Sequence, residues 1–165
     1  MIYSRLKTVI VLLCLNLLSV LVLQVNAQSL KEIEANRVSL PNGWKLSPVG
    51  EMLPLGDLPL NIAVSSSGKM LAVTNNGQSD QSIQLIDPEK MQVLDSVTIA
   101  KSWLGLTFSK DGKYLYASGG NDNWIVKFQV KNNKLVPSDT LVFGKPWPEK
   151  ISIAGIAVDD DKQLL

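Results

Sequence analysis

The chain repeats itself. Asn61-Ile62-Ala63-Val64-Ser65 aligns with Gly105-Leu106-Thr107-Phe108-Ser109, and Ser67-Gly68-Lys69-Met70-Leu71 with Asp111-Gly112-Lys113-Tyr114-Leu115, both at an offset of 44 residues. A third copy begins at Gly155-Ile156-Ala157-Val158-Asp159 and continues into Asp161-Lys162-Gln163-Leu164-Leu165, with an offset of 50 at its first strand and 49 afterwards. A fixed period of this size means that each copy is one supersecondary unit with a face it cannot bury alone. Stacked neighbours then supply the core.

Within a copy the texture is β. Leu104–Ser109 is an alternating apolar run, Lys110-Asp111-Gly112-Lys113 a turn, Tyr114–Ser118 a second strand, Gly119–Asn123 a loop and Trp124–Val130 a third strand. Asp-Gly between apolar runs favours a hairpin, because glycine supplies positive φ without steric cost. Ile83–Asp87 and Ile125–Gln129 read as third strands, and Val93–Ile99 and Thr140–Phe143 as fourth strands. No segment after Val38 carries a 3.6-residue apolar period. Four short strands per period of about 40–45 residues is the pattern of a β-propeller blade. The fold class expected is therefore all-β: a partial β-propeller of about two and a half four-stranded blades, following a signal peptide. The alternative is a small open β-sheet protein.

The expected organisation runs as follows. Residues 1–27 form a signal peptide: Arg5 and Lys7 precede the apolar run Thr8–Leu23, and Val25-Asn26-Ala27 offers small residues before a cleavage point. The competing reading is a membrane anchor, but sixteen residues fall short of the ~20 a helix needs to span a bilayer. Leu13 before Cys14 argues against a lipoprotein site. Residues 28–47 are a leader, in which Ser29–Arg37 is mildly helical. Residues 48–165 are the incomplete propeller: 48–56 a closing strand, 57–100 blade one, 101–144 blade two and 145–165 the start of blade three. A radial array needs roughly four to eight blades, so the partners expected first are the remaining blades or a downstream domain of a longer parent protein.

Blade one and the residues before it resemble the YVTN-type branch of the lactonase-like β-propeller repeat proteins. Pro59-Leu60-Asn61-Ile62-Ala63-Val64-Ser65 is similar to the family's first strand, and Ser67-Gly68-Lys69-Met70-Leu71-Ala72-Val73-Thr74-Asn75 to its signature hairpin. Ile83–Asp87 with Met91-Gln92-Val93 is similar to the half that follows. The pattern departs at Ser66-Ser67, where the family has Pro-Asp, and at Asp159-Asp160-Asp161, which lacks the turn glycine. The resemblance implies a seven-bladed ring. Leu40-Pro41-Asn42-Gly43-Trp44, Leu55-Gly56-Asp57-Leu58-Pro59 and Ser118-Gly119-Gly120-Asn121-Asp122-Asn123 further resemble secreted bacterial proteins in which such a propeller precedes an alkaline-phosphatase-like phosphoesterase domain. That resemblance implies a phosphoesterase parent whose catalytic residues lie beyond this chain.

The composition excludes much chemistry. There is no His, and the single Cys lies in the signal segment, so neither a Ser-His-Asp triad, a Cys-His pair nor a His-ligated metal can be assembled. Gly119-Gly120 lacks the Gly-Lys-Ser/Thr of a phosphate-cradling loop. After cleavage fourteen basic residues face fifteen acidic ones, which gives no electrostatic footprint for nucleic acid. Asp159–Asp161 suits Ca²⁺ by charge but falls where the repeat places a turn. No enzyme activity, cofactor, metal, nucleic-acid partner or membrane association after cleavage is expected; localisation is periplasmic or extracellular.

What remains is a surface. In an antiparallel blade, the loops joining second to third strands and fourth to first strands emerge at the same edge. That face would carry Asp57, Asn75, Asn76, Trp103, Asn121, Asp122 and Trp147, amides and carboxylates beside indoles, able to hold a protein or small-molecule ligand. The alternative is that the Asn residues serve turns and the Trp residues wedge between blades. Trp124, inside a strand, is expected in the core.

Overall fold

The computed structural model describes residues 29–47, 50–145, 151–162 and 164–165. The expected signal peptide (residues 1–27), residues 48–49 of the expected closing strand and the candidate Trp147 lie outside them.

The residues up to Gly50 form a unit of their own. Helix α1 (Leu30–Ala35) starts at Ser29, whose hydroxyl accepts the Glu32 N–H while the Glu32 carboxylate accepts the Ser29 N–H at 2.8 Å. This reciprocal capping box is what starts so short a helix; none of its residues is buried. Strands β1 (Val38–Ser39) and β2 (Lys45–Leu46) pair antiparallel across a turn containing Gly43 at φ +83°.

From Glu51 onward the chain forms a second unit, built of repeated sheets. Blade one is β3 (Pro59–Val64), β4 (Leu71–Asn75), β5 (Ser82–Asp87) and β6 (Gln92–Thr98), in that spatial order. Blade two is β7 (Leu106–Phe108), β8 (Tyr114–Ser118), β9 (Trp124–Lys131) and β10 (Lys134–Val142), likewise in order. Every neighbouring pair is antiparallel. The registers correspond: Ile62 opposes Val73 as Leu106 opposes Ala117. The innermost strand β3 lies beside β7 and the outermost β6 beside β10. Inner packed on inner and outer on outer is the radial stacking of a propeller, so the fold is all-β, a partial β-propeller.

The first-to-second-strand turns are built alike three times. The N–H of Ser65 donates to the Met70 carbonyl, that of Ser109 to Tyr114, and that of Asp159 to Leu164, each at 2.9 Å. Gly68 and Gly112 supply φ +71° and +70° at matching places. Ser66-Ser67 therefore makes the same turn as Lys110-Asp111. The third turn, without glycine, keeps the same length, so its offset from the second is 50 on both sides rather than 49 on one. Its acids are engaged by protein: the Asp159 carboxylate accepts the Lys162 N–H at 3.1 Å, Asp160 accepts the Lys110 N–H, and Asp161 pairs with the Lys110 ammonium at 3.2 Å.

Two expectations change in detail. Residues 51–56, read as part of a closing strand, carry no ladder. A strand needs an edge to pair with, and this segment instead meets blade one at Gly56, whose N–H donates to the Gln84 side chain at 3.0 Å. The outer strand β10 is longer than the expected Thr140–Phe143 and starts directly after Asn132-Asn133. Both asparagines have positive φ, 51° and 60°, the geometry of a two-residue hairpin turn.

The core lies between the blades. Ala72, Ile83 and Leu85 on one face of blade one meet Leu106, Phe108, Leu115, Ala117 and Phe128 of blade two. At the outer edge the Asp95 carboxylate accepts the Leu135 N–H at 2.8 Å and pairs with the Lys134 ammonium at 2.9 Å. Burial pushes the Asp95 carboxyl up, but these donors outweigh it and hold it below the ordinary carboxylate range.

Candidate functional site

The loop edge is organised by one device used twice. Gln81, just before β5, accepts the Ile99 N–H on its main-chain carbonyl at 2.9 Å and the Ser102 N–H on its side-chain oxygen at 2.7 Å. Asn123, just before β9, accepts the Phe143 N–H on its carbonyl at 2.8 Å and the Ser152 N–H on its side-chain oxygen at 2.9 Å. Each amide thus pins the segment leaving its own blade to the residue that starts the next. Asn123 is fully buried and has φ +56°, which an asparagine tolerates better than most residues.

The first of these latches forms one wall of a concavity of about 360 Å³. Asn76 and Gln81 come from blade one, Lys101, Ser102 and Trp103 from the linker, and Gly119, Gly120, Asn121 and Asp122 from blade two. Gly120 has φ +56°, and a side chain there would press on Trp103. Glycine therefore lets the indole lie against the loop while 42% of its surface stays exposed.

Four candidates read from the sequence, Asn76, Trp103, Asn121 and Asp122, are brought together in this concavity. Two others serve the scaffold. The Asp57 carboxylate accepts the N–H groups of Gln78 and Ser79 at 2.7 and 3.2 Å, clamping the loop after β4. A side chain at Gly77 would collide with it. Asn75 is buried inside blade one, donating to Ser82 and Gln84 at 3.2 and 3.0 Å. Trp124 is half-buried rather than fully enclosed: it stacks on Gly119 and faces a groove lined by Val97 and Ile99 of blade one.

Gln81, Lys101 and Ser102 are the residues the sequence reading missed. Ser102 is the most informative, being 2% exposed with a hydroxyl that has no hydrogen-bond partner among the described residues. An orphaned buried hydroxyl costs on the order of 1–3 kcal/mol. The usable signal was positional, since Gln81 and Asn123 are both amides immediately before third strands. Among the described residues no three metal-ligating side chains gather, and no helix is long and apolar enough to cross a membrane.

No protein-family model matches the chain, and no curated protein matches it by sequence. In backbone it is similar to hydrazine synthase of Kuenenia stuttgartiensis, at TM-score 0.53 and 16% identity over 68% of this chain and 29% of that one. It is also similar to the Cps50 (Swd1) β-propeller domain of Myceliophteria thermophila, at TM-score 0.49 and 18% identity over 59% and 29%. A third likeness is to a gluconolactonase of Xanthomonas campestris, at TM-score 0.45 and 17% identity over 72% and 38%. The chain spans between 29% and 38% of the length of these structures. The likeness is one of fold.

Proposed function

We propose that the chain is a non-catalytic binding module, exported to the periplasm or beyond by residues 1–27, whose loop face takes a small ligand or a segment of a partner protein. One observation carries this reading. Side chains from three separate segments converge on a single concavity beside an exposed indole, and a buried hydroxyl there has no hydrogen-bond partner among the described residues. Pockets of a few hundred Å³ with a few convergent polar groups are where small molecules bind.

The second reading makes the chain the leading part of a YVTN-type propeller hydrolase, a phosphoesterase or a lactonase, whose other blades cover blade one. What favours it is the 56% and 61% exposure of Ile62 and Val64, which align with the buried Leu106 and Phe108.

Both are tested on the chain made with its own amino terminus. The recovered protein should begin at Gln28, and a mixed small-molecule screen followed by amide and indole NMR should shift Asn76, Trp103, Asn121 and Asp122 together. Shifts scattered elsewhere, or phosphoester or lactone turnover that follows the purified chain, would remove the binding-module reading.

A further inference from the structure

The concavity between the blades is unbalanced in its hydrogen-bonding capacity. Two of its amide oxygens are already occupied: Gln81 Oε1 by the Ser102 N–H, and Asn121 Oδ1 by the Ser152 hydroxyl at 2.6 Å. That leaves the Gln81 and Asn121 side-chain nitrogens as donors. The Lys101 ammonium, the Trp103 indole N–H and the Ser102 hydroxyl are likewise without partners among the described residues. Donors therefore outnumber acceptors: among the described residues lining it, the side-chain oxygens that make no other bond are those of Asp122, the Asn76 amide and the Ser102 hydroxyl, against the several N–H groups of Lys101, Gln81, Asn121 and Trp103.

A cavity rich in donors is complementary to a ligand rich in acceptors, and charge-assisted bonds to an anion are the stronger ones. The Asp122 carboxylate on the wall sets a limit, because like charges repel and a dianion such as phosphate would meet more of that repulsion. The indole of Trp103 adds a flat apolar surface against which a planar body can lie. Resting on the binding-module reading above, we infer that this site takes a small monocarboxylic acid with a planar apolar body. Its carboxylate is received by Ser102, Lys101 and the Gln81 and Asn121 amide nitrogens, and its body lies on Trp103.

The test titrates the intact chain with benzoate, benzamide and benzylamine, which share one ring and differ in the head group, and with glucose as a neutral polyol. The readout is the Trp103 indole signal, assigned with Trp103→Phe. Benzoate should move it saturably and bind at least about tenfold more tightly than benzamide, the size of one lost charge-assisted bond. Ser102→Ala and Lys101→Gln should each weaken benzoate about tenfold, while Ser102→Ala melts no lower than the parent, having no partner to lose. The carboxylate assignment falls if benzamide or benzylamine binds as well as benzoate, or if neither substitution matters. If benzylamine or glucose saturates the signal and benzoate does not, the carboxylate class fails and the loop-face reading stands. If no probe moves it, both fail.

Discussion

Blades one and two share their strand order, their first-to-second-strand turn and the register of their inner pair, yet matching residues live in different environments. Leu106 and Phe108 on β7 are buried against blade one, whereas Ile62 and Val64 on β3 are exposed. The difference teaches that burial in a repeat array belongs to the neighbour and not to the unit. A second contrast concerns the way each inner strand reaches forward. In blade one the Asn61 side-chain amide donates to the Leu104 carbonyl of the next blade. In blade two Gly105 stands at that place with the Ala154 carbonyl where its side chain would be, and the Ser118 hydroxyl donates to that carbonyl at 3.3 Å. One contact is made by two different sets of residues.

The comparison breaks most visibly at the aligned pair Ile62 and Leu106. Leu106→Ala should lower the unfolding free energy by about 3 kcal/mol, while Ile62→Ala should cost less than about 1 kcal/mol, because little apolar area is removed from shelter. Equal losses in denaturant titrations would mean that something covers β3 in solution.

The next effect is at the inner strands. A Cβ at Gly105 would lie 2.6 Å from the Ala154 carbonyl oxygen and 2.7 Å from Ser118 Oγ. Gly105→Ala should therefore cost about 2 kcal/mol through overpacking and raise amide exchange around Ile156. Asn61→Ala removes a hydrogen bond and should cost about 1 kcal/mol. If Gly105→Ala were the milder of the two, the close approach of blade three would be wrong.

The smallest effect is the outer strap. The Asp95 carboxyl titrates below its ordinary value in the folded chain, so its contribution is complete above the unfolded value and is lost as pH falls through the folded one. Asp95→Asn should cost about 1 kcal/mol at neutral pH, with solvent screening on the Lys134 side, and nothing once the pH lies below both values. A penalty that persisted in acid would show that the strap works through shape and not charge.

Much of this was legible in the residues. The repeat and the Asp-Gly turn led to the blades, and the antiparallel order led to a loop face on which Asn76, Trp103, Asn121 and Asp122 meet. The burial of Asn75 was not legible. The repeat aligns it with Gly119, and only three-dimensional packing shows that its amide fills the space beside Gly56. The early start of β10 was hidden by Pro137, which reads as a strand breaker. It is tolerated because it lies on the outermost strand, where its missing N–H costs no ladder bond, next to a register shift. The orphaned Ser102 hydroxyl leaves no trace in sequence, because a lack of partners is a property of the surroundings.

The paired amide latches have one more consequence. From Ile99 to Ser102 the chain takes three steps, and from Phe143 to Ser152 it takes nine, yet Gln81 and Asn123 catch the arriving N–H in the same way. The catch registers where the strand lands and is indifferent to the route travelled. Detours between sectors can therefore grow, shrink or be swapped without disturbing the wheel, which makes this the natural place to graft a foreign peptide.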